Sequence, residues 1–367
     1  MNGVELRKLG TFSEMKYGKM PKKDRITEDG QYPIYSGYRI VGYYDEYNLE
    51  QPTLIVVARG VGGTGDVKIS PAKCYLTNLS IYVDVDESVA LKEYLYYYFQ
   101  IHNLRYLDSG SAQSQITIAD LKNVKVPIPT LETQDKVVSI LKSLDNKIVN
   151  NEAINRNLEE QAKLLYKSWF IDFQNTENEM PSDWRIGTTE EIIELHDSVR
   201  IPLSGNEREK LEKIYPYYGA TSVMDYVDNY LFDGIYLLLG EDGSVIDTNG
   251  YPILQYVFGK FWVNNHAHVI TGKNGFSVEE LYLLFSLTNV QNIVTGAVQL
   301  KINQGNLKSL EVVIPSEKAL KEFDEMIQPM FGKIRILRSE IERLIALRDS
   351  LLPKLMSGEL DVSGLEI

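Results

Sequence analysis

The stretch VVSILKSLDNKIVNNEAINRNLEEQAKLL, residues 137–165, decides the architecture of this chain. Its repeating positions alternate steps of four and three residues, and seven of these nine positions are apolar. Such a seam, sustained over four heptads without Pro or Gly, predicts a long helix that packs on another helix as a coiled coil. The seam positions are Val137, Leu141, Leu144, Ile148, Asn151, Asn155, Leu158, Ala162 and Leu165.

A second seam occurs 186 residues later in the same register. Eight of its nine positions are apolar, and the set is Phe323, Ile327, Met330, Ile334, Leu337, Ile341, Leu344, Arg348 and Leu351. We expect Pro329 to kink or delay this helix, because proline lacks an amide donor and its ring crowds the preceding turn. An ordinary amphipathic helix on each domain is the alternative. Two seams in matching register favour an antiparallel pair that packs within the chain.

The segments before the two helices also repeat. YPIYSGYRIVGYYD from Tyr32 matches YPYYGATSVMDYVD from Tyr215, and one gap brings Gly37 to Gly219. SGSAQSQITIADLKNVKVPIP from position 109 matches TGAVQLKINQGNLKSLEVVIP from position 295, again at an offset of 186. Short apolar and Tyr-rich runs between Gly, Asn and Asp predict strands and turns, with one helical stretch before each later motif. The predicted class is α+β, with two pseudo-repeated mixed αβ domains (1–131 and 174–316), two long helices (132–173 and 317–356) and a tail (357–367).

The composition is that of an acidic globular protein. The chain has 367 residues, of which 44% are hydrophobic and 24% charged, and its formal net charge is −13. Residues 174–316 carry most of this charge, with 9 basic and 19 acidic side chains. The acidity argues against a nonspecific nucleic-acid binder, but it allows a protein that reads DNA beside basic partners. Because no apolar leader or run of 18 apolar residues is present, we expect a soluble, cytoplasmic protein.

The sequence contains no recognisable catalytic centre. Neither GxxxxGK[ST] nor GxSxG occurs, and a single cysteine rules out a disulfide framework or a Cys-rich zinc site. His266 and His268 have no third ligand nearby, so we expect no metal. The catalytic alternative is an autonomous metal-dependent nuclease, since Asp45, Asp66 and Lys68 loosely fit its acid…acid-x-Lys spacing.

The remaining features are suited to binding nucleic acid. KYGKMPKKDR (16–25) would neutralise phosphates, although a solvated loop is the alternative. Arg59 precedes a Gly-rich turn and would donate two hydrogen bonds to the edge of a guanine. The glutamines in a Gly/Ser loop would instead hydrogen-bond to the edge of an adenine. The turn is replaced by GEDGS (240–244) in the second domain, where carboxylates would repel phosphate but accept from cytosine N4. The candidate DNA-binding residues are Lys19, Lys22, Lys23, Arg25, Tyr35, Ser36, Gly37, Tyr38, Arg59, Gln113 and Gln115, and then Tyr217, Tyr218, Thr221 and Gln299.

Several strings, together with the repeat and the paired helices, resemble the specificity (S) subunit of type I restriction–modification systems. They are LYKSWFIDF (165–173), PSDWRIG (181–187) and LLPKLMSGELDV (351–362). VPIPTLETQDKV (126–137) resembles the family's entry into the central helix, where Pro-x-x-x-Glu-Gln is usual. Here the run departs by one residue, and the second copy lacks the Glu-Gln pair. The resemblance spans nearly the whole chain.

The resemblance implies a non-catalytic subunit with two target-recognition domains that reads double-stranded DNA. It implies as partners two copies of an adenine-N6 methyltransferase subunit and, for cleavage, ATP-driven restriction subunits. No cofactor is expected in this chain, since S-adenosylmethionine, ATP and Mg²⁺ would belong to the partners. A coiled-coil adaptor that binds protein but not DNA is the non-enzymatic alternative.

The length of the seam suggests a spacer between two half-sites. Its 28 steps correspond to roughly 42 Å of helix, or about 10–13 base pairs of DNA. Because the two domains differ in sequence, we expect an asymmetric bipartite target. Asn151 and Asn155 occupy seam positions that are Leu337 and Ile341 in the second helix. Buried amides there would cost stability but fix register.

Overall fold

A computed structural model of the protein describes residues 4–37, 39–60, 63–108, 115–296 and 298–365. The chain divides into two compact units, residues 1–149 with 342–367 and residues 150–341. Each unit therefore contains one globular segment and about half of each long helix. The sequence had instead suggested that each long helix is a segment separate from the two globular domains.

The described residues of the first unit form three small sheets, and short helices pack beside them. The strands are β1 (Glu5–Lys8), β2 (Ser13–Tyr17), β3 (Tyr32–Ser36), β4 (Arg39–Tyr44), β5 (Leu54–Val57), β6 (Val67–Ile69), β7 (Tyr75–Leu76), β8 (Ser80–Val85) and β9 (Lys125–Ile128). The helices are α1 (Lys92–Ile101), α2 (Ile118–Asn123), the first half of α3 (Leu131–Phe170) and the second half of α7 (Glu317–Ser357).

The core of the first unit lies between its four-stranded sheet and its helices. The strand order is β2-β8-β5-β6, and all its pairs are antiparallel. β5 is buried along its whole length because it is an inner strand of apolar residues. Val56 and Ile81 of this sheet share one hydrophobic cluster with Leu95 of α1 and Leu141 of α3. In a second sheet β3 is antiparallel to β4 and parallel to β7, and β1 pairs with β9.

The second unit is built around a six-stranded sheet of order β11-β16-β14-β15-β12-β13. The strands are β10 (Arg185–Thr188), β11 (Ile193–Leu195), β12 (Tyr215–Tyr218), β13 (Val223–Val227), β14 (Phe232–Gly240), β15 (Leu254–Val263), β16 (Ala267–Gly272) and β17 (Glu311–Ile314). The helices are α4 (Gly205–Arg208), α5 (Val278–Ser286), α6 (Gln304–Lys308) and the first half of α7 (Glu317–Ser357), besides the second half of α3. Single 3₁₀ turns lie at Leu9–Thr11, Lys23–Arg25, Arg105–Leu107, Gln174–Thr176, Thr189–Glu191, Asp197–Val199 and Gln291–Ile293.

The two units repeat the same topology, as the sequence predicted. The first and last strands of each segment pair antiparallel, β1 with β9 and β10 with β17. Among its described strands each unit also has one parallel pair, β3 with β7 and β12 with β15. The short helix before the last strand is capped alike, since Thr117 accepts from the N–H of Asp120 and Asn303 from that of Asn306. These features confirm an α+β fold with a pseudo-repeated domain.

The two long helices pair antiparallel in both units. In the first unit Arg348 of α7 donates to Asp145 of α3 at 2.9 Å. In the second unit Arg338 donates to Glu159 at 2.6 Å, and the rings of Tyr166 and Phe323 lie 5.6 Å apart. As the residue number rises along α3, the number of the contacting residue on α7 falls.

In the described residues no helix is both long and apolar enough to cross a membrane.

All seam positions on both helices are buried or half-buried. Those of the central stretch are Leu141, Leu144, Ile148, Asn151, Asn155, Ile334, Leu337, Ile341 and Leu344. Asn151 donates through Nδ2 to Glu340 at 2.9 Å, but its Oδ1 and that of Asn155 are buried without a hydrogen-bond partner in the part of the chain that the structure describes. α7 begins at Glu317, where the sequence placed the start of the second helix, so the delay that we considered at Pro329 does not occur. Packing of Phe323 and Ile327 in the core stabilises the turns before the proline.

Part of the described segment after α7 belongs to the first unit's core. Val362 is buried in the same cluster as Leu141 and Leu355. Lys136 of α3 donates to the carbonyl of Ser363 at 2.8 Å. The segment that the sequence suggested to be a tail therefore packs on the helix pair as far as it is described.

Candidate nucleic-acid interface

Three loops of the first unit meet at one place and bring several predicted residues together. Arg59 forms an isolated antiparallel bridge with Gln115, 56 positions later. The N–H groups of Ala58 and Arg59 both lie within hydrogen-bond distance of the Leu79 carbonyl, at 2.8 and 3.1 Å. The N–H of Ile116 donates to Ala58 at 2.9 Å. We call Arg59, Gly60, Asn78, Leu79 and Gln115 the first loop cluster.

The first loop cluster presents polar atoms without partners. The guanidinium carbon of Arg59 lies 5.7 Å from the ring centroid of Tyr17. Arg59 Nε and Asn78 Oδ1 are buried and have no hydrogen-bond partner among the described residues. Gly60 has φ +135°, and a Cβ built on it would meet only open space. Since unpaired buried polar atoms are costly, these two atoms destabilise the loops unless a local rearrangement gives them a partner.

Tyr35, Ser36 and Gly37 border this cluster through the loop after β7. The Tyr35 carbonyl accepts from the N–H of Thr77 at 3.1 Å, and the Thr77 hydroxyl donates to Ser36 Oγ at 3.1 Å. Gly37 has φ +61°, a conformation that glycine adopts without strain. Partial burial raises the pKa of the Tyr35 phenol, so it stays a hydrogen-bond donor at neutral pH. Tyr38 and Gln113, two further candidates, lie outside the described residues.

The lysine-rich segment beside these loops divides into free and paired cations. Lys19, Lys22 and Lys23 are exposed, and none has an ion-pair partner among the described residues. The Lys19 N–H donates to the Leu76 carbonyl at 3.0 Å, which joins this segment to the end of β7. Three solvated ammonium groups on one segment suit phosphate contacts.

The prediction that Arg25 offers a free cation to DNA is wrong, because Arg25 pairs with acidic side chains of its own unit. Its Nε donates to Asp45 at 3.1 Å, Glu46 lies 3.5 Å away, and the guanidinium carbon stands 4.6 Å from the Tyr44 ring. The pairing lowers the pKa of the Asp45 carboxyl. Arg25 therefore anchors the segment instead of offering a free cation.

The carboxylates suggested for the nuclease alternative are both paired with arginines. Asp45 binds Arg25, and Asp66 lies 3.1 Å from Arg105. Lys68 lies on β6, opposite Ile55 of β5. A guanidinium thus already balances the charge of each carboxylate, which disfavours a divalent-metal centre there.

In the second unit the predicted tyrosines have different environments. Tyr218 and Tyr35 are equivalent, because each accepts a loop N–H and lies on the parallel strand pair. Tyr217 instead occupies the place of buried Ile34, and only 2% of it is exposed. The N–H of Leu203 donates to its hydroxyl at 2.9 Å, and Arg208 covers its ring at 4.9 Å. The prediction that Tyr217 contacts DNA is therefore wrong.

Thr221 and Gln299 are exposed on loops of the second unit. The bridge that corresponds to Arg59 and Gln115 joins Asp242 to Lys301. The nitrogen Nδ1 of His266 contacts Asp242 Oδ1. Lys301 was not among the residues predicted from the sequence, although the offset of 186 from Gln115 points to it. We call Asp242, Gly243, His266 and Lys301 the second loop cluster.

A buried network lies behind the second loop cluster. His268 contacts Asp197 at 2.6 Å and the carbonyl of Ile302 at 2.8 Å. Asp197, Glu241 and His268 are close enough together to hold a metal ion. However, Arg200 donates to Glu241 at 2.7 Å and lies 3.5 Å from Asp197, so a guanidinium supplies the balancing charge. We call Asp197, Arg200, Glu241 and His268 the support network, since it lies directly behind the loop that carries Asp242.

A duplicated scaffold with two loop clusters, connected by paired helices, defines a protein of two recognition modules. Its sequence matches the family described as the type I restriction modification DNA specificity domain over residues 1–160 and 181–345. The match covers most of the chain, so the protein belongs to this family, as its resemblance to specificity subunits predicted.

Individual relatives agree with this assignment. The MjaIX specificity subunit of a type I restriction enzyme from Methanocaldococcus jannaschii is 27% identical over 306 residues, 75% of this chain and 70% of that protein. The HindI specificity subunit from Haemophilus influenzae is 46% identical over 59 residues, 16% of this chain and 13% of that protein. The crystal structure of the type I S subunit from Mycoplasma genitalium shares the fold, with a TM-score of 0.67, 19% identity and 97% coverage of both chains.

Proposed function

We propose that the protein is the DNA-recognition subunit of a type I restriction–modification complex and reads an asymmetric bipartite site. The observation that carries the proposal is the difference between the two loop clusters. One scaffold presents Arg59 with Gln115 in the first unit, and Asp242 with Lys301 in the second. Because arginine and carboxylate seek opposite hydrogen-bonding groups, the two half-sites should differ in sequence.

In this proposal the paired helices set the gap between the half-sites. The helix α3 has 40 residues, and its seam of 28 steps is roughly 42 Å long. That length corresponds to about 10–13 base pairs, close to one turn of duplex.

Catalysis and cofactors would belong to partner subunits. Two copies of an adenine-N6 methyltransferase would bring S-adenosylmethionine, and restriction subunits, if present, would bring ATP and Mg²⁺ chemistry. The paired state of Asp45 and Asp66 supports a non-catalytic role for this chain. Because the net charge is −13, we expect the isolated chain to bind DNA weakly. Binding should become tight once basic partner subunits are present.

The test is to co-express the full chain with the methyltransferase subunit of its own genome and to map methylated adenines. We expect one bipartite motif with unlike halves, and no such motif in cells with the methyltransferase alone. Sequence-independent methylation, or no footprint by the assembled complex, would support the protein-binding adaptor instead. Mg²⁺-dependent cleavage by the purified chain, lost in Asp66→Ala, would support the nuclease.

A further inference from the structure

Backbone hydrogen bonds establish which residues of the two units are equivalent. The N–H of Ile116 donates to Ala58, and the N–H of Ile302 donates to Glu241, both at 2.9 Å. Since Ile116 and Ile302 are 186 positions apart, Ala58 corresponds to Glu241. The next residues, Arg59 and Asp242, are therefore structural counterparts. Their numbers differ by 183, so the constant offset of the repeat does not reveal them.

The surroundings of the two counterparts are also alike. The N–H of Ala58 donates to Leu79 at 2.8 Å, and that of Glu241 donates to His266 at 2.8 Å. Both counterparts are followed by a glycine with positive φ, +135° at Gly60 and +89° at Gly243. Open space lies where either glycine would carry a Cβ. The two loops thus have the same backbone approach but side chains of opposite charge.

The carboxylate of Asp242 is positioned and only partly satisfied. Its Oδ1 contacts His266, whereas Oδ2 has no hydrogen bond to any described residue. The Asp242 side chain is 20% exposed and that of His266 is 44% exposed. Glu241 points into the support network, where Arg200 and Lys301 lie 2.7 and 3.4 Å from it. The charge of the neighbouring acid is thus balanced within the protein, and Asp242 remains as a partly exposed acceptor.

We propose that Asp242, positioned by His266, is a specificity-determining residue of the second half-site and requires an exocyclic amino group of a base. A carboxylate accepts from cytosine N4 or adenine N6 in the major groove and repels the O6 and N7 acceptors of guanine. Arg59 has the opposite preference at the equivalent place of the first half-site. This inference rests on the proposed function and adds which chemistry each half-site selects.

The experiment uses the full chain assembled with its methyltransferase subunit, and the variants Asp242→Ala and Asp242→Asn. Methylome sequencing should show relaxation at one position of the second half-site, with the first half unchanged. Equilibrium binding to duplexes with each base substituted in turn should show that the wild type prefers cytosine or adenine there, by about tenfold or more. Whichever of the two is preferred identifies the amino group.

Controls separate this inference from folding and from the proposed function. Glu212→Gln, an exposed acid on another loop, should leave the motif unchanged. The isosteric Asp242→Asn should keep the wild-type Tm and co-purify with its partner, so a changed motif reports recognition. His266→Ala should weaken the same position and no other. An unchanged second half-site in both Asp242 variants would overturn the inference, and so would a change in the first half. A wild-type complex without any sequence-specific methylation would instead refute the proposed function.

Discussion

Replacing Glu280 with glutamine should remove a pH-dependent cost from the second unit. Glu280 is fully buried at the start of α5, where its Oε2 accepts from the N–H of Ser277 at 2.7 Å and Oε1 has no partner among the described residues. Burial raises the pKa of this carboxyl to about 8. The Ser277 N–H opposes the shift, whereas the carboxylates of Asp324 and Glu279 reinforce it.

The direction and size of the effect follow from proton linkage. In the unfolded chain the carboxyl of Glu280 titrates near its ordinary pKa of 4.5. Between pH 4.5 and 8 the folded protein retains a proton that the unfolded chain has lost. The free energy of unfolding therefore falls by about 1.4 kcal/mol per pH unit, or about 5 kcal/mol across the window. Glutamine cannot ionise, so the variant keeps this stability above pH 8 and matches the wild type at acid pH.

The assay is thermal unfolding of the full chain from pH 5 to 9, with wild type and variant compared at each pH. At about 2–4 °C per kcal/mol, the Tm of the second unit's transition should rise by roughly 10–20 °C near pH 8 and little at pH 5. Glu207→Gln is the matched control, because Glu207 caps α4 in the same way but is exposed and has a lowered pKa. Parallel pH profiles for wild type and Glu280→Gln would refute the reasoning.

Three further changes test the helices and the first loop cluster. Asn151→Leu with Asn155→Leu should raise the free energy of unfolding by about 1–2 kcal/mol, because buried oxygens without partners are removed. The same double variant should loosen the register of the helix pair or its assembly with partner subunits. Denaturant titration measures the first effect and co-purification the second, and a less stable chain would contradict the prediction. Arg59→Ala should weaken binding of the assembled complex by about 1–3 kcal/mol for the first half-site alone, measured on duplexes with either half altered, and an equal loss at both halves would oppose it. Deleting residues 147–153 and 339–345 together should shorten the helix pair by about 10 Å, so the gap in the methylated motif should shrink by roughly three base pairs or activity should vanish. An unchanged gap would mean that the helices are not the ruler.

The helix pair and the repeat were predictable because both depend on periodic patterns. A 4-3 spacing forces apolar side chains onto one stripe, and Val137, Leu141 and Ile148 are buried in the structure. The offset of 186 joined the helices to the loops, so Gln115 and Lys301 were alignable from sequence. The delay expected at Pro329 does not occur, because helix propensity alone does not account for the tertiary packing of the turns before the proline.

The loop clusters were less predictable, since they depend on contacts between distant residues. Tyrosine suits both core and surface, and only strand register shows that Tyr217 takes the place of Ile34. The pairing of Arg25 with Asp45 spans 20 positions and has no periodic signal. Asp242 was visible as one acid of a polar turn, but its equivalence to Arg59 requires the backbone hydrogen bonds.

The central claim is that each unit reads its own half-site, and a domain exchange tests it most directly. Residues 1–131 would be replaced by the corresponding segment of another specificity subunit, and the adenines methylated by the assembled complex would be mapped. The account predicts that one half of the motif changes while the other half and the gap remain. A motif altered in both halves, or in neither, would contradict it.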